Sequence, residues 1–170
     1  MEDVGADEHK SQAPKNVKVA IVTVSDTRTE KDDLSGKAIS EILTVAGHAV
    51  VRKDIVKDDL EQIRAALRGL IEDANVQAVI LNGGTGVSVR DVTLEAVHDF
   101  QEKHLPGFGE LFRMLSYDEI GSAAMMSRAV AFVTEGKIVF CLPGSEKAVR
   151  LATTNLIAPE LGHLVWEANR

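Results

Sequence analysis

The feature that most limits the fold of this chain is an alternation of fully apolar segments with amphipathic ones. Residues 17–25 (VKVAIVTVS) are β-branched and almost entirely apolar, which is typical of a strand buried on both faces of a mostly parallel sheet. Residues 35–47 then carry apolar side chains at helical spacing, with Ser35 as the predicted N-cap and Gly47 as the predicted stop. A strand followed directly by a helix indicates the α/β class.

The same alternation continues through two further strands. Residues 48–56 predict a second strand, residues 58–74 a second amphipathic helix, and residues 76–82 a third strand. Right-handed crossovers place such helices on both faces of the sheet. We therefore predict a three-layer α/β fold, in which ligands bind at the carboxyl ends of the strands.

The second half of the chain is less regular. Residues 91–100 predict a helix. Residues 128–142 contain two apolar runs joined at 134–136, a pattern that predicts a hairpin and hence an antiparallel edge on the otherwise mostly parallel sheet. Two helices are expected after it, the first capped by Ser145 and the second restarting near Pro159.

The composition fits one domain and excludes several classes of function. A chain of 170 residues, 45% of them hydrophobic, is long enough for one compact core. A net charge of −7 argues against nucleic-acid binding, which requires clustered Lys and Arg. No apolar run approaches the roughly 18 residues of a membrane span, so no membrane contact is expected. Cys141, the only cysteine, lies in an apolar run and predicts a buried, inert thiol.

The first sixteen residues differ from the rest because they are polar, acidic and without periodicity. We predict a disordered acidic tail over residues 1–16 and one domain over residues 17–170. A secretory signal would be basic and then apolar, so we expect a cytoplasmic protein.

A glycine-rich turn directly follows the third predicted strand. The segment LNGGTGVSVRD (residues 81–91) places Gly83, Gly84 and Gly86 within four positions. Without a Cβ, glycines let peptide N–H groups point toward an anion, so the turn predicts a phosphate or pyrophosphate site. A tight strand-to-helix connection without a ligand is the alternative. The motif is neither a P-loop nor the G-x-G-x-x-G dinucleotide fingerprint.

Two charged residues at the end of the turn add to this interpretation. Arg90 offers a cation with several donors, although a surface salt bridge would also explain it. Asp91 is able to hold a divalent ion that bridges phosphates, or to cap the next helix with Glu95 one turn further on. Spacing alone does not separate these roles.

Four separated motifs occur along residues 17 to about 166. They are TVSDTR (23–28), NGGTGVSVRDVTLEAV (82–97), PGFGELFRMLSYDEIGSAAMMSR (106–128) and FCLPGS (140–145). Together they closely resemble the MoaB/MogA proteins of molybdenum-cofactor biosynthesis, and the third motif resembles the MoaB branch more than the MogA branch. The resemblance implies a mixed α/β molybdopterin-binding fold. It also implies a homo-oligomer, a trimer or a hexamer of two trimers, and contact with other molybdenum-cofactor enzymes is a further expectation.

The resemblance also implies an activity, the adenylylation of molybdopterin by Mg-ATP with release of pyrophosphate. The phosphate of the pterin would attack the α-phosphorus of ATP, a reaction that depends on positioning and charge neutralisation. Mg²⁺ is therefore expected as cofactor, ATP as co-substrate and molybdopterin as substrate. Members of the MoaB branch need not all be active, so the alternative is a non-catalytic protein that binds molybdopterin or a nucleotide.

The positions that match the family motifs supply the candidate site residues. The essential aspartate after the glycine motif falls on Asp91, and a second acidic position falls on Asp58, where Lys57 replaces the proline of the family. The resemblance implies that both aspartates are catalytic and hold Mg²⁺. The expected substrate-binding residues are Ser25, Asp26, Gly83, Gly84, Thr85, Gly86, Arg90, Ser127, Pro143, Gly144 and Ser145.

Structural roles compete with several of these assignments. Asp58 stands three residues before a glutamate at a helix start, which resembles a capping box, and both roles can coexist. Ser145 suits an anion at a helix N-terminus or a plain N-cap, and Glu146, a departure from the family pattern, would oppose an anion by its charge. Ser127 and Arg128 match a Ser-Arg pair of the family, with structural anchoring as the alternative.

Overall fold

The computed structural model describes residues 13–170. The strands are β1 (Lys18–Val24), β2 (Ala49–Val56), β3 (Ala78–Asn82), β4 (Lys103–His104), β5 (Val130–Thr134) and β6 (Lys137–Leu142). The helices are α1 (Leu34–Val45), α2 (Leu60–Glu72), α3 (Thr93–Val97), α4 (Pro106–Ile120), α5 (Glu146–Ala152) and α6 (Ala158–Ala168). Two 3₁₀ turns follow α3 and α4, at His98–Phe100 and Gly121–Met126, and a π-helical turn, Thr153–Ile157, joins α5 to α6.

The strands form one mixed sheet in the order β2-β1-β3-β6-β5-β4. The first four strands in this order are parallel, whereas β5 runs antiparallel to both of its neighbours. The β5–β6 hairpin turns through Glu135 and Gly136, both at positive φ, as a type I′ turn requires. The mostly parallel sheet with an antiparallel edge is therefore confirmed. Because β1 lies between β2 and β3, the winding reverses there, and the carboxyl ends of β1 and β3 border the switch point where ligands bind in such sheets.

Helices cover both faces of the sheet, which confirms the predicted three layers. On one face α1, α4, α5 and α6 pack around a core that includes Ile21, Phe112 and Phe140. On the other face α2 and α3 pack around a core that includes Leu67. Cys141 is buried in this second core, and burial raises the pKa of its thiol to about 12. The predicted burial of the thiol is confirmed, and a raised pKa is what an unreactive thiol requires.

The start of α1 differs from the prediction because an aspartate two residues earlier takes the cap position. The prediction of Ser35 as the N-cap is wrong, since Asp33 accepts the capping hydrogen bond from the Gly36 N–H at 3.0 Å. Ser35 lies buried in the first turn, and its hydroxyl donates to the Gly144 carbonyl at 2.7 Å. It therefore ties α1 to the loop after β6.

The predicted boundary near residue 17 falls close to the start of the described residues. Residues 1–12, most of the predicted tail, lie outside them. The Pro14 carbonyl lies against Gly162 of α6, where a Cβ would collide with it. Within residues 13–170, no helix combines the length and the apolar character needed to cross a bilayer.

Candidate functional site

The glycine turn after β3 has a backbone conformation that glycine adopts readily and that would strain a residue with a Cβ. Gly83 and Gly84 have φ angles of +104° and +65°, and a Cβ would collide with the Val24 carbonyl oxygen at the first position and with Thr93 Oγ1 at the second. Thr93 holds the turn twice, donating from its hydroxyl to the Gly83 carbonyl at 2.8 Å and from its N–H to the Gly84 carbonyl at 3.0 Å. The turn is therefore fixed between the end of β1 and the start of α3.

A cavity of about 350 Å³ opens beside the turn. The turn and the loop after β6 form one wall, and α4 with its 3₁₀ turn forms an apolar wall. The lining residues are Gly84, Thr85, Gly86, Asp91, Phe112, Ser116, Ile120, Ala124, Met126, Ser127, Pro143, Gly144, Ser145 and Ala148. A concave apolar space with a few polar groups, at the carboxyl ends of parallel strands, is the usual form of a small-molecule site. The structure thus brings most of the predicted site residues to one cavity.

Five predicted residues are not among the lining residues: Ser25, Asp26, Asp58, Gly83 and Arg90. Arg90 donates from Nη2 to Asp26 Oδ2 at 2.9 Å, and its side chain is 79% exposed. The other Asp26 oxygen accepts the Asp58 N–H at 3.2 Å. Ser25 Oγ accepts the Arg28 N–H at 3.1 Å, which makes it a turn former. The surface salt bridge considered for Arg90 is present, and it joins the loops after β1 and β3.

Asp58 does not cap the helix that follows it. Asp59 caps α2, accepting a backbone N–H of its first turn at 2.9 Å. Asp58 Oδ1 instead accepts the Val92 N–H at 3.4 Å. Its carboxylate lies so close to Gly84 that a Cβ there would come within 2.9 Å of Oδ1. The capping-box interpretation of Asp58 is wrong because the neighbouring aspartate takes that role.

Asp91 also faces the glycine turn and does not cap a helix. The N-cap position of α3 is held by Val92, without a side-chain capping bond. Asp91 Oδ2 accepts the Ser88 N–H at 2.9 Å and lies 2.8 Å from where a Cβ of Gly86 would stand. The two candidate catalytic carboxylates therefore flank the turn, Asp58 beside Gly84 and Asp91 beside Gly86.

The carboxylates around the turn repel one another. Burial raises the pKa of Asp58, and the charges of Asp91 and Asp26 raise it further, while the Val92 N–H and Arg90 act in the opposite direction. A divalent cation would neutralise this negative charge. Among residues 13–170, no group of three or more His, Cys, Asp or Glu side chains is placed to hold a metal ion. The two aspartates fit Mg²⁺, which needs one or two carboxylates and takes waters and substrate phosphates as its other ligands.

Asp58→Asn is expected to leave the protein as stable as the wild type, or slightly more stable, at neutral pH. Because folding raises the pKa of Asp58 above 3.8, the folded state binds the proton more tightly, so stability falls as the pH rises through the interval between the two pKa values. Asparagine removes the charge that causes this loss. Thermal unfolding should show any gain in stability of Asp58→Asn over the wild type at neutral pH, and equal stabilities of the two proteins below pH 3.8.

The matched control for this variant is the neighbouring aspartate. Asp59→Ala removes the cap of α2, which should cost about 1 kcal/mol of unfolding free energy. A destabilisation of similar size in Asp58→Asn would instead assign Asp58 a structural role.

The loop after β6 lies directly beside the glycine turn in the same wall of the cavity, since a Cβ on Gly144 would come within 3.2 Å of the Gly83 Cα. The Gly144 carbonyl accepts Arg28 Nη2 at 2.8 Å and the Ser35 hydroxyl at 2.7 Å. The Ser145 hydroxyl caps α5, accepting the Ala148 N–H at 3.2 Å, so the N-cap alternative describes it. Arg28 was not among the predicted site residues, although it closes the motif TVSDTR, and it connects the loops after β1 and β6.

Two residues whose roles the sequence left open, Glu146 and Arg128, are not part of the cavity lining. Glu146 pairs with Arg150 at 2.9 Å, one helical turn away, and is not a lining residue. Arg128 is not a lining residue either, and it donates from Nε to the Gly86 carbonyl at 2.9 Å. Structural anchoring therefore describes Arg128, whereas Ser127 lines the cavity.

The apolar wall of the cavity was missed from the sequence. Phe112, Ile120 and Met126 line it together with Ser116, yet periodicity alone assigns the three apolar side chains to the core. The signal was present in the motif at residues 106–128, which matches the family as the glycine turn does.

Comparison with known proteins agrees with this fold. Residues 20–163 match the family model "Probable molybdopterin binding domain". The chain is 53% identical to molybdenum cofactor biosynthesis protein B of Bacillus cereus over 164 residues, 96% of this chain and 97% of that protein. A crystal structure of molybdenum cofactor biosynthesis protein B gives a TM-score of 0.90 at 53% identity, covering 94% of this chain and 99% of the other. The tungsten cofactor synthesizing protein MoaB from Pyrococcus furiosus gives 0.84 at 37% identity, covering 93% and 100%. The chain therefore belongs to the MoaB branch of the MoaB/MogA family of molybdenum-cofactor biosynthesis.

Proposed function

We propose that this protein acts in molybdenum-cofactor biosynthesis by adenylylating molybdopterin with Mg-ATP. The observation that carries the proposal is the position of Asp58 and Asp91, which flank the glycine turn although Asp59 and Val92 hold the cap positions of the adjoining helices. Two carboxylates that are not needed as caps, beside a turn open to a phosphate, suit a magnesium-dependent phosphoryl-group reaction.

The proposed step forms one bond and breaks one. A phosphate oxygen of molybdopterin attacks the α-phosphorus of ATP, and the bond from that phosphorus to the β-phosphate oxygen breaks, so pyrophosphate leaves with the bonding electrons. Mg²⁺, held by Asp58 and Asp91, would neutralise phosphate charge. Arg90, which pairs with Asp26 on the surface, would exchange this partner for a phosphate. The contribution of the protein is positioning and electrostatic stabilisation.

The remaining walls of the cavity suit the rest of the substrate. Phe112, Ile120 and Met126 offer apolar contact to a flat pterin. The glycine turn, which lines the cavity through Gly84, Thr85 and Gly86, would meet the phosphate at the other end. The use of ATP agrees with the cytoplasmic location expected from the sequence.

An exposed apolar face supports the oligomer that the family resemblance implies. Leu111, Met114 and Tyr117 of α4 and Met125 of the following 3₁₀ turn are all exposed. Several large apolar side chains exposed on one helix and the turn after it are typical of interaction sites. We propose that this face lies in the contact between copies of the chain.

The activity is tested by measuring pyrophosphate release from purified protein with molybdopterin, ATP and Mg²⁺. We expect release that requires all three components, and omission of molybdopterin or Mg²⁺ serves as the control. Binding of molybdopterin without release would contradict the proposal and identify a non-catalytic binding protein.

A further inference from the structure

We propose that Arg128 and Glu95 form a latch that holds the loop from Gly86 to Asp91 in its working position and acts on the reaction without contacting the substrate. The catalytic part of this inference rests on the proposed function. Its geometric part concerns only the free protein and is tested separately.

The Arg128 guanidinium bonds both ends of the loop. Its Nε donates to the Gly86 carbonyl at 2.9 Å, and its Nη2 donates to the Asp91 carbonyl at 3.2 Å. The two terminal nitrogens also bond the two Glu95 carboxylate oxygens in a fork. The Arg128 N–H donates to the Thr85 carbonyl at 3.4 Å. Since Glu95 belongs to α3, the latch fastens the loop to a helix and to the segment that enters β5.

The loop needs such a tie because its own side chains anchor it weakly: Arg90 bonds Asp26 of the loop after β1 at 2.9 Å, but the Arg90 side chain is 79% exposed. Val87 and Val89 are exposed, the latter to 98%, so neither packs in the core. The bonds from the Ser88 N–H to Asp91 Oδ2 and from the Asp91 N–H to the Ser88 carbonyl lie within the loop. Bonds within a loop fix its shape but not its place relative to the cavity.

The latch lies on the outer side of the loop. Arg128 and Glu95 line a second space of about 350 Å³, together with Val87, Ser88, Val89, Asp91 and Val92. Asp91 lines both this space and the cavity beside the glycine turn, whereas Arg128 and Glu95 line only the outer one. The loop is thus the wall between the cavity and the outer space, and the Arg128 guanidinium bonds the loop from the outer space. This placement makes Arg128 and Glu95 positioning residues.

The charges of the pair keep the latch closed at neutral pH. The hydrogen bond from Arg128 is the main cause that lowers the pKa of Glu95, and the Arg128 charge adds to it. The pair therefore contributes stability above pH 4.5, which is lost as the pH falls through the lowered pKa. The side chains are 33% and 47% exposed, and pairs this exposed contribute little to global stability. The effect of the latch should appear in the reaction and in the loop more than in the melting temperature.

The kinetic test uses Arg128→Lys, which keeps the charge and removes the planar fork. We expect the kcat of pyrophosphate release to fall about tenfold or more, because small displacements of a reacting group are costly, while the KM changes less than about twofold. Glu95→Ala should lower the kcat in the same way. In the double variant, the kcat should fall by a smaller factor than the product of the two single-variant factors. Arg64→Lys is the matched control, because Arg64 also bonds a backbone carbonyl, that of Ala96, and a carboxylate, that of Asp99, and it does not line the cavity.

The geometric test needs no substrate. Amide hydrogen exchange of Ser88 and Asp91, whose N–H groups are bonded within the loop, should become faster in Arg128→Lys and in Glu95→Ala, and stay unchanged in Arg64→Lys. Unchanged exchange in all three variants would overturn the latch. A raised KM with unchanged kcat in Arg128→Lys would also overturn the latch, since this result would mean that Arg128 contacts the substrate. If the wild type releases no pyrophosphate but exchange responds as expected, the proposed function fails and the latch stands.

Discussion

Asp91→Asn is expected to lower the rate of pyrophosphate release at least about a hundredfold and to leave the fold intact. An asparagine oxygen can still accept the Ser88 N–H that Asp91 Oδ2 accepts at 2.9 Å, so the loop keeps its shape. The variant loses only the negative charge, which the proposed magnesium site requires. The measurement is the single-turnover rate of pyrophosphate release, with thermal unfolding recorded on the same preparation.

The control for this result is Asp99→Asn. Asp99 is an exposed aspartate that pairs with Arg64 at 2.6 Å, away from the cavity. Its substitution removes the same charge and should leave the release rate unchanged. Equal rates for the wild type and Asp91→Asn, in an otherwise active protein, would remove Asp91 from the mechanism.

Gly83→Ala is expected to lower the free energy of unfolding by about 3 kcal/mol. The added Cβ would collide with the Val24 carbonyl oxygen, a backbone atom at the end of β1 that cannot move without disturbing the sheet. The φ angle of +104° adds strain for any residue with a Cβ. Equilibrium unfolding in urea measures the loss.

Gly107→Ala provides the comparison for this variant. Gly107 lies in the first turn of α4, and a Cβ there would meet nothing within 4 Å. Alanine should therefore stabilise the helix by up to about 1 kcal/mol. If both substitutions changed stability equally, the close approach of the glycine turn to β1 would be wrong.

The fold was predictable because its signals are local. β1 and β3 are buried on both faces and read as continuous apolar runs, while α2 has a single buried face at helical spacing. Strand order and packing then follow from a few general rules of connection. The predicted helix over residues 91–100 was too long, since α3 ends at Val97 and a 3₁₀ turn follows.

The roles of individual site residues were harder to predict because they depend on contacts that are distant in sequence. Asp58 and Asp59 are equally good caps by residue type, and only the backbone path decides that Asp59 caps α2. The path is set in part by the Asp26 carboxylate, which accepts the Asp58 N–H from a loop 32 residues earlier. No pattern within one segment reports such a bond.

The contact between Arg28 and the Gly144 carbonyl joins residues 116 positions apart. The cavity walls come from the loops after β3 and β6 and from α4, so the cavity exists only once segments from both halves of the chain have come together. A ligand bound there would therefore protect these distant segments together against unfolding and proteolysis. At a free ligand concentration of 100 times the Kd, this linkage adds about 2.7 kcal/mol to the stability of the domain. Ligand binding in the cavity and folding of the domain are therefore thermodynamically coupled.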